Sequence, residues 1–109
     1  MADHVRWTIE DRDGYEVYLT QERWEHIIDP ANHLEMESFE EHLRQAIQRS
    51  RRKQGSLNPQ KYTYTKAFND LVLDNTHIVV VVLFRFRERG NWRPLTNNYI
   101  VTAYQKEIG

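Results

Sequence analysis

A chain of 109 residues, 39% hydrophobic and 28% charged, has the size of one domain and can bury one modest core. It contains no cysteine, which excludes disulfides, thiolate catalysis and cysteine-ligated zinc. Its longest apolar run, residues 78–84, is too short to span a membrane, and residues 1–4 do not resemble a signal peptide, so we expect a cytoplasmic protein without membrane association.

The net charge of −1 hides an uneven distribution along the chain. Residues 1–48 hold four Lys or Arg against twelve Asp or Glu, whereas residues 49–109 hold eleven against four. Eleven of the fifteen basic residues are Arg, which suits bidentate phosphate contacts and stacking on bases. Two interpretations stay open: charges that mix over the folded surface, or a basic side that binds a polyanion such as RNA.

The first part of the chain predicts a hairpin that leads into a helix. Residues 5–10 alternate between apolar and polar types, residues 11–14 are turn formers, and residues 15–19 return to a β-type composition. Thr20 is placed to cap a short helix over residues 21–28.

A second helix is predicted to begin at Ser38, because Ser38 and Glu41 have the spacing of a capping box. Its apolar residues recur at offsets of three and four: Phe39, Leu43, Ala46 and Ile47. The basic run at residues 49–53 follows, where the helix dipole favours cations. This run therefore has either a structural explanation or a role in binding RNA.

Three strands are predicted in the second half of the chain, over residues 61–68, 77–87 and 98–106, with a loop over residues 89–94. The 77–87 strand begins with β-branched residues on both faces, which is typical of a central strand. We expect one domain (1–109) with an α+β fold. In it, two N-terminal helices pack on one face of a mostly antiparallel sheet that includes the N-terminal hairpin.

Common catalytic motifs are missing from the sequence. There is no glycine-rich phosphate loop, no G-x-S-x-G and no H-E-x-x-H. The five histidines lack a spacing typical of metal ligands, so we expect neither a metal ion nor another cofactor.

His26 is a candidate proton-transfer group. It lies about 200° around the first helix from Trp24, so core packing does not require it. It is either a surface histidine one turn from Glu22 or a general acid or base working near neutral pH.

The last strand offers hydroxyl groups on one face. Its residues divide by alternation into Ile100, Thr102, Tyr104 and Lys106 on one side and Tyr99, Val101 and Ala103 on the other. Val101 and Ala103 are small and apolar, which favours packing under a helix. Thr102 and Tyr104 would then lie on the open face.

The two preceding strands add cations and further hydroxyls. Arg85 and Arg87 alternate with phenylalanines, and the 61–68 strand offers Lys61, Thr63 and Thr65 on one face or Tyr62, Tyr64 and Lys66 on the other. Ordinary cross-strand packing explains such residues, and so does a platform that stacks bases and binds phosphates. On the second interpretation, the RNA-binding residues are Arg51, Arg52, Lys61, Tyr64, Lys66 and Arg87.

Several of these segments together resemble a known family. They are LTQERWEHI at residues 19–27, the Pro59 turn before a tyrosine-rich strand, the strand at residues 79–83, and IVTAY at residues 100–104. This pattern, over residues 18–106, resembles the barnase–EndoU–colicin–RelE superfamily of small nucleases, in particular its phage- and mobile-element-associated branch.

The resemblance implies metal-independent cleavage of RNA, in which the ribose 2′-oxygen attacks the adjacent phosphate. It implies His26 as acid or base and Thr102 and Tyr104 as hydrogen-bonding partners, and the strand pattern adds Arg85 as a clamp on the phosphoryl oxygens. Residues 29–34 read DPANHL where the family has a His-Pro-Glu-like element, which leaves the role of His33 open.

Two functions therefore remain. The first is an endoribonuclease, as a toxin or mobile-element effector with an inhibitor or antitoxin protein as a further partner. The second is a non-catalytic module that binds RNA or protein on the same fold.

Overall fold

The chain forms an α+β fold with a six-stranded mixed sheet and two α-helices. The elements are β1 (Val5–Glu10), β2 (Glu16–Thr20), α1 (Gln21–Ile27), a 3-10 helix (Leu34–Ser38), α2 (Glu40–Arg49), β3 (Arg52–Gln54), β4 (Lys61–Ala67), β5 (His77–Arg89) and β6 (Arg93–Lys106). The computed structural model describes residues 4–89 and 93–108, with side chains described for residues 4–85 and 97–108.

Strand order in the sheet is β1-β2-β6-β5-β4-β3. The pairs are antiparallel except for β2 and β6, which run parallel and meet at Tyr18 and Tyr99. Strands β6 and β5 form the middle pair of the six, so β5 is a central strand, as its apolar start predicts. Strand β5 extends to Arg89 and β6 begins at Arg93, so strand pairing continues into the predicted 89–94 loop. Residues 90–92 of that predicted loop lie outside the described residues.

The N-terminal elements follow from local signals. Strands β1 and β2 pair antiparallel on either side of a turn in which Gly14 has a φ of +90°, a conformation that glycine adopts without strain. The Thr20 side chain accepts a 3.0 Å hydrogen bond from the Arg23 backbone N–H, so the predicted cap of α1 is confirmed.

The predicted capping box of α2 is wrong. Ser38 is the last residue of the 3-10 helix, and Phe39 occupies the cap position without a side-chain hydrogen bond. Glu40 instead ties the start of α2 to β1, by accepting hydrogen bonds from the Arg6 guanidinium and, at 2.7 Å, from Trp7 Nε1. Tertiary contacts therefore replace the local cap.

Part of the basic run forms a strand that the sequence pattern did not indicate. Ser50 ends α2 in an extended conformation, and Arg52–Gln54 pairs antiparallel with β4 as strand β3. The segment is three residues long and wholly polar, so it carries no hydrophobic alternation to identify it.

A register shift in the β5–β6 pair changes which residues of β6 face the core. Val81 pairs with Thr102 but Val82 pairs with Ile100, which leaves Val101 as an extra residue. Ile100 and Ala103 are consequently both buried in the core. The predicted grouping of Ile100 with Thr102 and of Val101 with Ala103 is therefore wrong, because strict alternation does not hold across the bulge.

The core contains side chains from both helices and from one side of the sheet. Its largest fully buried members are Tyr64, Leu19, Ile27, Met36, Leu43, Ile47, Ile78, Ile100, Val17, Val80 and Val82. The Tyr64 hydroxyl donates a 2.6 Å hydrogen bond to Asp11 Oδ2, and Asp11 Oδ1 accepts from the backbone N–H groups of Asp13 and Tyr15. A buried carboxylate thus joins the β1–β2 turn to β4.

We predict that Tyr64→Phe lowers the free energy of unfolding by about 1–3 kcal/mol, because Asp11 stays buried with one partner fewer. Burial and the hydrogen bond to Asp11 raise the pKa of Tyr64. Its contribution is therefore complete below the tyrosine pKa of the unfolded chain, about 10, and declines as pH rises above it. Between pH 8 and 11, the free energy of unfolding measured by urea denaturation should fall more steeply in the wild type than in Tyr64→Phe. Tyr62→Phe is the control, and equal slopes would contradict the prediction.

A second prediction concerns Glu40, whose pKa is lowered chiefly by the hydrogen bond from Arg6. The resulting stability is present above the carboxylate pKa of the unfolded chain, about 4.3, and is lost as pH falls below it. Glu40→Gln should cost about 1 kcal/mol at pH 7 and flatten the dependence of stability on pH between 5 and 3. Glu41, the next residue, is exposed, so Glu41→Gln is the control. In the same urea titrations it should leave both the stability at pH 7 and its dependence on pH unchanged.

Candidate functional site

The face of the sheet opposite the core carries a group of polar side chains, which we call the outer face. It consists of the residues that alternate with core residues along β3–β6: Lys53, Lys61, Thr63, Thr65, Ala67, His77, Val79, Val81, Leu83, Arg85, Asn97, Tyr99, Thr102, Tyr104 and Lys106. Among the described residues of these four strands, no carboxylate lies on this face. These four strands therefore present hydroxyl and cationic donors on this face, while Glu10 and Glu16 lie on the same side of the sheet on β1 and β2.

Hydroxyl groups flank the central strand on this face. Val81 lies between Thr63 and Thr102, and Val79 lies between Thr65 and Tyr104. The two valines are only 7% and 5% exposed. Neighbouring strands lie about 4.8 Å apart, so the hydroxyls border a narrow apolar strip that is itself nearly closed to solvent.

His33 meets Tyr104 at the edge of the outer face. Their ring centroids are 5.6 Å apart with an interplanar angle of 32°. His33 is held there by its backbone N–H, which donates a 2.9 Å hydrogen bond to the Ile27 carbonyl, and its Nδ1 lies 3.6 Å from Glu35 Oε2. The structure thus places a group able to transfer protons beside a phenol. The two residues are distant in sequence, and no local pattern relates them.

His26 is exposed on α1. Within the part of the chain that the structure describes, its imidazole makes no hydrogen bond, ion pair or ring contact, and its backbone carbonyl accepts a 2.9 Å hydrogen bond from Asn32 Nδ2. Its predicted catalytic role stays a prediction.

Arg85 is not close to Tyr104. It pairs with Asn97, whereas Tyr104 pairs with Val79, six residues earlier on β5. At the rise of a β-strand the two positions are about 20 Å apart. The predicted catalytic set of Arg85, Thr102 and Tyr104 is therefore not one site. Arg85 instead extends toward Tyr99, with a 3.4 Å contact between Nη1 and the hydroxyl.

Two predicted RNA-binding residues of β4 lie on the inner side of the sheet. Tyr64 is fully buried and its hydroxyl is bonded to Asp11, so the prediction that it contacts RNA is wrong. Lys66 lies with its Nζ 4.8 Å from the centre of the Phe68 ring. Lys61 is exposed on the outer face, because odd and even residues of a strand point in opposite directions.

The remaining predicted RNA-binding residues are arginines in three settings. Arg51 is exposed between α2 and β3, and the side chain of Arg87 lies outside the described residues. Arg52 points to the inner side, where its guanidinium stacks on aromatic rings. The predicted set therefore divides between the two sides of the sheet.

Within the described residues, no three His, Asp or Glu side chains are arranged to hold a metal ion. No helix in the described ranges is long and apolar enough to cross a membrane.

Comparison with protein families, with curated proteins and with solved structures finds nothing that matches this chain. The resemblance to the nuclease superfamily therefore stays a prediction.

Proposed function

We propose that the protein binds RNA across the outer face and cleaves it beside Tyr104 without a metal ion. The observation that carries the proposal is the placement of His33 against Tyr104, at the edge of a face on which β3–β6 present hydroxyls and cations. The proposal takes both helices to cover the inner side of the sheet, which leaves the outer face accessible. The sequence resemblance to small nucleases supports the same reaction.

The proposed reaction uses a base, an acid and a charge-stabilising group. His33 accepts the proton of the ribose 2′-OH, and the 2′-oxygen attacks the adjacent phosphorus to form a cyclic phosphate. The 5′-oxygen leaves with a proton donated by the Tyr104 hydroxyl. Thr102 donates a hydrogen bond to the phosphoryl oxygens, and the ammonium of Lys106, two residues from Tyr104 on the outer face, opposes their growing negative charge.

Arg85 and Lys61 have a binding role in this proposal. Both are exposed on the outer face beyond the hydroxyl-bearing rows, toward the end of β5 at Arg89. Cations at that distance contact the phosphates of neighbouring nucleotides. These contacts position the RNA strand but take no part in the reaction. The resemblance extends the proposal to a toxin or mobile-element effector that an inhibitor protein controls.

A non-catalytic RNA-binding module is the second candidate. The observation that favours it is the separation of Arg85 from Tyr104, since it removes one member of the predicted catalytic set. The outer face keeps its hydroxyls and cations in either case. A cleavage assay therefore distinguishes the two candidates.

In that assay, we predict that purified protein cleaves single-stranded RNA in the presence of EDTA. His33→Ala and Tyr104→Phe should each lower the cleavage rate at least tenfold. His26→Ala, at an exposed position of α1, should change the rate less than twofold. Loss of activity in His26→Ala but not in His33→Ala would move the proton transfer to His26. Intact RNA after long incubation with folded wild-type protein would remove the enzyme proposal and leave the binding module.

A separate prediction concerns RNA binding. The double variant Lys53→Gln/Lys61→Gln should weaken binding of a non-cleavable 2′-O-methyl RNA. It should also reduce the slope of log K against log salt by about 1.4, since each phosphate contact on a single strand contributes about 0.7. Lys66→Gln, a lysine on the inner side of the sheet, is the matched control. Equal slopes for the three proteins, measured by fluorescence anisotropy, would show that RNA does not bind the outer face.

A further inference from the structure

Arg52 is surrounded by three aromatic rings on the inner side of the sheet. Its guanidinium carbon lies 4.0 Å from the ring centre of Tyr15, 4.5 Å from that of Tyr62 and 4.7 Å from that of Phe84. The rings also contact one another, with centroids 4.7 Å apart for Tyr62 and Phe84 and 5.6 Å apart for Tyr15 and Phe84. These contacts hold the guanidinium plane in one orientation.

Within the ranges that the structure describes, the N–H groups of this guanidinium have no acceptor. Among the described residues, none accepts a hydrogen bond from Arg52 or forms an ion pair with it. Asp11, the nearby buried carboxylate, is already bonded to the Tyr64 hydroxyl and to two backbone N–H groups. Ring stacking restricts the faces of a guanidinium but leaves its edges free, and the edges carry the five donors.

A cavity adjoins this group. It has a volume of about 260 Å³, and Tyr15, Arg52, Pro59, Gln60, Tyr62, Phe84 and Asn98 line it. A preoriented guanidinium that borders a small cavity with aromatic walls is suited to bidentate binding of an oxoanion, because little side-chain freedom is lost on binding.

The charge around the cavity indicates which oxoanion it takes. Two further exposed cations, Arg49 and Arg51, precede Arg52 in the chain, whereas Lys53 lies on the outer face. The nearby carboxylate of Asp11 is occupied by the Tyr64 hydroxyl and two backbone N–H groups. Additional cations favour a dianion over a monoanion at short range. A phosphate monoester, with a charge of about −1.5 to −2 at neutral pH, therefore matches the site better than a carboxylate.

We propose that the Arg52 cavity binds the terminal phosphate monoester of a nucleotide or of a nucleic-acid 5′ end. The phosphate oxygens accept hydrogen bonds from the guanidinium edge, while Tyr15 and Tyr62 keep its plane in place. The site is on the inner side of the sheet and is separate from the outer face, so it stands whether or not the protein cleaves RNA.

The test uses calorimetric titration with non-cleavable 2′-O-methyl tetranucleotides that carry either a 5′-phosphate or a 5′-hydroxyl. Wild-type protein should bind the 5′-phosphorylated form at least tenfold more tightly. Equal affinities, or no binding of either form, would overturn the proposal without the use of any variant. AMP is titrated in parallel: affinity equal to that of the phosphorylated tetranucleotide identifies free nucleotides as the ligand, and weaker affinity identifies nucleic-acid ends.

Variants then assign the effect to Arg52. Arg52→Gln and Arg52→Lys should each lower the affinity for the 5′-phosphorylated tetranucleotide at least tenfold, because lysine keeps the charge but has neither the planar fork nor the stacking. Arg23→Gln removes a charge on α1 that does not line the cavity, and it should change the affinity less than twofold. Full affinity in Arg52→Lys, or equal competition by a peptide with a free C-terminal carboxylate, would contradict the assignment. Circular dichroism confirms that the variants are folded.

Discussion

The register shift between β5 and β6 determines which side chains of this protein can act together. If Val101 were paired rather than bulged, strict alternation would put either Ile100 or Ala103 on the outer face, and the core would lose a buried apolar side chain. With the bulge, both are buried, and Tyr99 before it shares the outer face with Thr102 and Tyr104 after it. The bulge thus reconciles a continuous core with a continuous polar face.

Strand β4 contributes to both sides of the sheet because its residues alternate without a register shift. Tyr64 enters the core and Tyr62 lines the Arg52 cavity, whereas the odd residues lie on the outer face beside β5. Tyr64 illustrates the consequence, because a tyrosine in a polar strand is typical of a binding surface but here bonds to a buried carboxylate. The two candidate sites are therefore separate surfaces, and a ligand of one does not contact the other.

Local elements were the predictable part of this fold. The cap at Thr20, the central position of β5 and the α+β arrangement follow from turn formers, helical capping and β-branched runs, which act within a few residues. The start of α2 was mispredicted because Arg6 and Trp7, distant in sequence, bind Glu40 in place of a local cap. Strand β3 was missed because three polar residues become a strand only when β4 offers its free edge.

The candidate sites show the same division between what local sequence determines and what contacts between distant residues determine. Composition and charge by themselves determined that the second half of the chain is rich in arginine, lysine, tyrosine and threonine, because residue chemistry is independent of the fold. Only the tertiary structure decided that His33 rather than His26 meets Tyr104, that Arg85 lies far from both, and that Arg52 stacks among three rings. These relations depend on strand register, a bulge and the path of the 28–34 segment. Contacts between residues far apart in the chain fix these features, and no local pattern encodes them.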